Sequence, residues 1–229
     1  MKKAIGTLLA MILMMTGTAL AAQADANLAA ATAVVPAGAA MVEHEMDDGF
    51  AEYKFIIAAT GEEFEVKIDP FTGLVFSVES DLDDQGMASA VTLSEEDAQL
   101  KVVDDAANGE LMHTALEFLH TSLKGGDKHY AYVLLFQSGE MLGAFEVNAE
   151  TGIVLERKIY PSALAGVTFM PPADVIKAIE SGHAGAQVQY IDISSDKRVV
   201  YYEGKALLDG VEYEFEYTLD GTAREWERD

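Results

Sequence analysis

Short stretches in which apolar and polar residues alternate predict β-strands along much of the chain. Residues 53–57, 130–136 and 213–217 place an aromatic or large aliphatic residue at every second position. A period of two is typical of a strand with one face against a core. The pattern therefore predicts antiparallel strands in at least three parts of the chain.

Two of these regions contain the same strand–turn–strand sequence. Residues 64–76 align with residues 144–155 when Asp69 is set against Asn148, and both copies have two variable residues and then Thr-Gly before a second apolar strand. A third, shorter copy at 213–226 lacks the two variable residues and the Thr. The predicted turn residues are Asp69, Thr72 and Gly73 in the first copy, Asn148, Thr151 and Gly152 in the second, and Asp220 and Gly221 in the third.

The chemistry of a tight turn explains these residue types. Asp and Asn side chains accept hydrogen bonds from backbone groups two residues further on, and Gly adopts a positive φ without strain. A further Gly-containing turn precedes each copy, at 60–61, 138–139 and 209–210. Each copy is therefore predicted to be an antiparallel meander.

Helix signals precede the meanders. Ser94 is a candidate N-cap followed by three acidic residues, Pro171-Pro172 can open a helix, and residues 25–34 are rich in Ala. A second apolar stripe from Met112 to Leu123 predicts another helix after Asn108-Gly109. We expect an α+β fold with one helix packed on each meander, divided at 22–82, 91–160 and 168–229.

The first 21 residues have the order of a secretory signal: two lysines, an apolar stretch, and small residues ending at Ala21. We expect cleavage after Ala21 and a secreted, periplasmic or envelope-associated protein with no stable membrane insertion afterwards. The chain contains no Cys, so no disulfide can stabilise it.

The charge is strongly negative, with 15 basic residues against 39 acidic ones and a formal net charge of −24. Nucleic acid is excluded as a partner, because binding phosphates requires Lys and Arg. A cationic partner or bound cations fit this surface, and keeping an exported protein soluble is the simpler explanation.

Two weak metal patterns occur. His113, Glu117 and His120 have the spacing of one face of the predicted helix, and Asp81 and Asp83 begin a calcium-like loop whose twelfth position is Thr92 rather than Glu. A helix boundary and an acidic linker are the simpler interpretations. We therefore expect no metal and no cofactor.

Catalytic motifs are missing from the sequence as well. Asp69 and Thr72 have the residue types of an aspartic protease site, but Asn148 occupies the same place in the second copy and can serve a turn, not acid–base chemistry. No nucleophile elbow, phosphate loop or dinucleotide fingerprint occurs. The sequence favours a protein that is not an enzyme.

The helix start at 93–98 and the strand–turn–strand segments 65–76 and 145–155 resemble the PepSY domain. The resemblance implies one helix on an antiparallel sheet, as in the propeptides of thermolysin-type metalloproteases and in secreted bacterial proteins, with no catalytic residue. It also implies a binding or inhibitory role towards a secreted or envelope protease or another envelope protein. The alternative is an acidic cation-binding or scaffold protein of the cell envelope.

Overall fold

The computed structural model describes residues 23–82, 88–106, 116–126 and 129–229. These residues form an α+β fold built from antiparallel sheets and a few helices. Residues 23–32 are helical (α1), and two further helices span Glu95–Ala106 (α2) and Pro172–Gly182 (α3). No helix in the described part of the chain is long and apolar enough to cross a membrane.

Each helix is followed by four strands that pair in chain order. The first four are β1 Ala40–Asp47, β2 Phe50–Ile56, β3 Glu63–Ile68 and β4 Val75–Asp81. The next four are β5 Glu117–Gly126, β6 His129–Ser138, β7 Met141–Asn148 and β8 Val154–Tyr160. The last four are β9 Gln187–Asp196, β10 Val199–Leu208, β11 Val211–Thr218 and β12 Ala223–Arg228.

The first two meanders join into one sheet, whereas the third forms its own. The eight-stranded sheet has the order β1-β2-β3-β4-β8-β7-β6-β5, and the four-stranded sheet has the order β12-β11-β10-β9. The joint is the antiparallel pair β4–β8, in which Val78 lies opposite Ile159. This arrangement leaves β1 and β5 at the two edges of the larger sheet.

Strands β6 and β7 of the larger sheet are buried on both faces, which explains the unbroken apolar run in β6. Leu134 packs into a core with α1 and α2, and the next residue, Leu135, packs into a second core with α3 and the four-stranded sheet. Val102 of α2 and Ile179 of α3 are fully buried in the two cores. Because successive strand residues point to opposite faces, a strand between two cores must be apolar at both.

The helix starts follow their sequence signals. The Ser94 hydroxyl accepts a hydrogen bond from the backbone N–H of Asp97 at 3.1 Å, and it donates to the Asp97 carboxylate at 2.7 Å. Pro171 caps α3, and Pro172 occupies its first turn. Both arrangements satisfy or remove donors that a helix N-terminus leaves without intrahelical partners.

The predicted helix over Met112 to Leu123 is wrong where the chain is described. Residues 117–126 form β5, which pairs with β6 from Glu117 opposite Gln137 to Gly126 opposite His129. The apolar spacing suited a helix, but pairing with a strand that is already buried on two faces outweighs local preference. Residues 107–115 lie outside the described chain.

Candidate functional site

The first two predicted turns have the same hydrogen-bond pattern. Asp69 Oδ1 accepts from the backbone N–H groups of Phe71 and Thr72, both at 3.0 Å. Asn148 Oδ1 accepts from Glu150 and Thr151 at 2.9 and 2.8 Å. The same carbonyl-to-glycine bond closes each turn, from Gly73 N to Asp69 O and from Gly152 N to Asn148 O, both 2.9 Å.

The glycines of these turns adopt positive φ angles, +73° at Gly73 and +76° at Gly152. In the third turn Gly221 has a φ of +85°, and Asp220 Oδ1 accepts from the backbone N–H of Thr222 at 3.0 Å. The three turns therefore use one principle, in which an Asp or Asn oxygen organises the bend and Gly supplies the left-handed residue.

Asp69 also forms an ion pair, which Asn148 cannot form because its side chain carries no charge. Its Oδ2 lies 2.6 Å from the Arg198 guanidinium in the β9–β10 turn, so the carboxylate joins the two sheets. The guanidinium also donates to the Gly49 carbonyl at 3.4 Å and lies 4.5 Å from the centre of the Phe50 ring. Hydrogen bonds from Thr72 and then from Arg198 lower the pKa of Asp69 to about 2.

A cleft of about 650 Å³ lies beside this ion pair, where the β3–β4, β9–β10 and β11–β12 turns meet the segment after β8. Three of its apolar side chains are strongly exposed, Leu74 at 68%, Val167 at 45% and Val199 at 49%. Val75, Phe76, Val200 and Leu219 are among the other apolar residues of its wall.

The polar groups of the cleft come from the turns, from the end of β11 and from the segment after β8. Thr72 and Thr218 contribute hydroxyls, and Asp69, Arg198 and Asp220 contribute charges. Hydrogen bonds from Thr218 and Thr222 lower the pKa of Asp220, which is exposed. The cleft thus combines apolar walls with a few polar groups, as ligand pockets generally do.

Strand β1 offers a different kind of surface. All eight of its residues are exposed, and within the described chain it pairs with β2 and with no other strand. Met41, Val42 and Met46 are exposed at 46%, 63% and 60%. The outer backbone edge of β1 and these apolar side chains are therefore accessible together.

A buried ionic cluster joins the two sheets on the face of the larger sheet opposite α1 and α2. Lys158 of β8 lies 2.8 Å from Asp192 of β9, 3.5 Å from Glu156 and 3.6 Å from Glu203 of β10. Burial by itself would lower the pKa of Lys158, but the carboxylates of Asp192 and Glu156 outweigh it and raise that pKa. Burial raises the pKa of Glu156 to about 7, although Lys158 opposes the shift.

The metal candidates that the structure describes, Asp81, Glu117 and His120, do not form a metal site. Glu117 is exposed at the start of β5, and His120 is half-buried beyond a β-bulge, where burial lowers its pKa. Asp81 ends β4 at the surface, opposite Glu63 and Glu156. His113 and Asp83 lie outside the described residues. Among the described residues, no group of three or more His, Cys, Asp or Glu side chains is placed to hold a metal ion.

Sequence reasoning missed the residues that hold the sheets together. Arg198, Lys158 and Asp192 carry no motif, since their partners lie 129 and 34 residues away. A local signal existed for Asp192, which lies between the buried residues Ile191 and Ile193, because a charge among buried apolar residues requires an opposite charge nearby. Lys158 gave no such signal, since it directly follows Glu156 and Arg157 in β8.

Comparisons with known proteins identify no family for this chain. No family model and no curated protein sequence matches it. Among solved structures, a provisionally named lipoprotein from Clostridium difficile 630 is 17% identical with a TM-score of 0.34, and the match covers 65% of this chain and 99% of the other. The C-terminal domain of YpeB from Bacillus megaterium is 15% identical with a TM-score of 0.35, covering 83% of this chain and 88% of the other.

Proposed function

We propose that the protein is an exported, non-enzymatic binding module of three PepSY-like repeats, 22–82, 91–160 and 168–229. It binds an extended segment of a secreted or envelope protease along strand β1 and thereby restrains that protease. The observation that carries the proposal is the exposed outer edge of β1, which is eight residues long and accessible along its whole length.

Such an edge binds another polypeptide through its main chain. An extended segment adds to the sheet by hydrogen bonding to backbone groups that β1 does not use for β2, which demands little of its side chains. Met41 and Met46 provide apolar contact on one side, because they lie opposite Phe55 and Ala51 on the face that forms the α1 core. Methionine side chains adapt to differently shaped partners.

The charge of the protein favours a basic partner. With a net charge of −24, the surface attracts a positively charged protease face and repels other acidic proteins. Salt screens such attraction, since the Debye length is about 8 Å at physiological ionic strength. Binding should therefore be faster and tighter at low salt.

The test is to titrate the purified exported chain into the proteolytic activity of the secreted fraction at low and at high salt. We expect saturable inhibition that weakens as salt rises, with the described β-strands of the module left uncleaved. Inhibition at neither salt concentration, together with no co-purifying protease, would refute the proposal.

A pair of variants tests the docking edge itself. The first variant carries Met41→Lys and Met46→Lys in β1. Natural edge strands often carry Lys, which prevents another strand from adding to the sheet, so we expect at least a tenfold loss of inhibition. The matched control is Leu100→Lys with Val103→Lys, which changes two exposed apolar residues of α2 and adds the same charge. Equal effects of the two pairs would show that net charge, and not the edge, determines binding.

A further inference from the structure

The cleft between the turns is a second surface, distinct from the β1 edge. Its volume of about 650 Å³ falls in the range of small-ligand pockets, roughly 300–1,000 Å³. Leu74, Val167 and Val199 expose about half or more of their surface there, although the same chain buries most of its large apolar side chains in two cores. Apolar side chains gathered at the mouth of a concave site are typical of a surface that another molecule covers.

The charges of the cleft exclude an anionic ligand. Arg198 is the cation among its lining residues, and it is already engaged by Asp69, by the Gly49 carbonyl and by the Phe50 ring. An anion would have to displace the Asp69 carboxylate, which also organises its own turn. Asp220 is the remaining carboxylate and is exposed, so the lining carries one net negative charge within a strongly acidic protein.

We propose that this cleft binds an aliphatic cation, with its alkyl chain against Leu74, Val167 and Val199 and its ammonium group at Asp220. The lysine side chain of a peptide and a free alkylamine share this chemistry. Apolar contact alone would select poorly among ligands, whereas an ammonium–carboxylate hydrogen bond fixes the orientation of the alkyl chain. The turn hydrogen bonds hold the Asp220 carboxylate in place before a ligand arrives.

Matched ligands test the charge requirement. The purified exported chain is titrated by calorimetry with n-hexylammonium and with hexanoate, which differ in the sign of their charge. The peptides acetyl-Leu-Lys-Leu-amide and acetyl-Leu-Glu-Leu-amide form a second pair. We expect saturable binding of the amine, of the Lys peptide or of both, and no binding of the two anions. Binding of the amine alone identifies a free amine as the ligand, and binding of the Lys peptide alone identifies a peptide.

Matched variants test the location. Asp220→Asn removes the charge and keeps an oxygen to accept the Thr222 hydrogen bond. Because Asp220 is exposed, the loss of its charge should weaken binding by up to about fivefold. Asp209→Asn removes one charge from the β10–β11 turn, outside the cleft, and should change nothing. Val199→Thr, at an exposed position, should weaken binding severalfold by placing a hydroxyl against the alkyl chain.

The proposal is overturned if none of the four probes binds, if hexanoate binds as tightly as hexylammonium, or if Asp220→Asn and Asp209→Asn behave alike. Thermal unfolding of each variant checks that it is folded. If Asp220→Asn does not fold, the binding measured for Val199→Thr tests the location instead. The β1 variants should bind hexylammonium like the unmodified chain. A negative result here therefore leaves the β1 proposal intact, and failure of protease binding leaves this one intact.

Discussion

Asp69 uses its two carboxylate oxygens for two different tasks, and two substitutions can separate them. Asp69→Asn retains an oxygen for the backbone N–H groups of Phe71 and Thr72 but loses the charge that holds Arg198. Asp69→Ala loses both. The difference between the two variants therefore measures the turn, and the effect of Asp69→Asn measures the ion pair.

The structure sets the size of each effect. The side chains of Arg198 and Asp69 are 51% and 20% exposed, so their ion pair should contribute only about 0.2–1 kcal/mol. Losing the turn acceptor adds about 0.5–1.5 kcal/mol, because water can partly replace it at this exposed turn. Asn148 is fully buried, so Asn148→Ala should cost more, about 1–3 kcal/mol. We expect the order Asn148→Ala, then Asp69→Ala, then Asp69→Asn.

Urea unfolding of these variants, together with Arg198→Met and the double variant Asp69→Asn/Arg198→Met, gives the coupling energy directly. The coupling should fall in 1 M salt. The pKa of Asp69 is lowered to about 2 in the folded state, so its contribution should be present above about pH 4 and lost as the pH falls towards 2. If Asp69→Asn is as destabilising as Asp69→Ala, or the coupling is zero at low salt, the assignment of the two oxygens is wrong.

Three further predictions concern the ionic cluster and the turn that contains Gly73. The pKa of Glu156 is raised to about 7 in the folded protein, so its carboxyl favours folding at low pH and loses that contribution between about pH 4.5 and 7. Glu156→Gln should therefore flatten this part of the profile of melting temperature against pH. Parallel profiles for the variant and the unmodified chain would contradict this expectation. Lys158→Met leaves Asp192 buried without its cation and should lower the free energy of unfolding in urea by about 3–5 kcal/mol. Adding Asp192→Leu should restore part of that loss. No recovery in the double variant would be evidence against the ion pair. Gly73→Val should cost about 1 kcal/mol or more because of the positive φ, and an unchanged thermal midpoint would show that the turn tolerates a side chain.

The features that the sequence predicts are those determined by neighbouring residues. A turn such as Asp69 to Gly73 is specified by its own side chain, its own backbone donors and one glycine, so its composition is readable directly. The helix start at Ser94 is specified in the same way. Strands β1 and β9 were missed, because β1 is exposed throughout and β9 shows apolar residues on one face over only part of its length.

Features that depend on distant residues could not be predicted. Nothing near Val78 indicates that β4 pairs with β8 while the third meander forms a separate sheet, since the choice depends on which edges meet after folding. The helix predicted over Glu117 and His120 is wrong for the same reason, because these residues pair with Gln137 and Leu135 of β6. The cleft and its ion pair depend on how the two sheets meet, so the sequence could not predict them either.

The surroundings of the turns explain why one has Asn and another has Asp. The segment that leads into α2 packs against the second turn. Its Thr92 and Leu93 backbone N–H groups both donate to the Ala149 carbonyl at 3.0 Å. Asn148 is fully buried there, and a carboxylate at its position would carry a charge into the core. The first turn instead faces the four-stranded sheet, where Arg198 needs a negative charge and finds it in Asp69. Because Asn and Asp both accept the hydrogen bonds of the turn, the turn itself does not determine which of the two residues occurs. The contacts around the turn determine that choice.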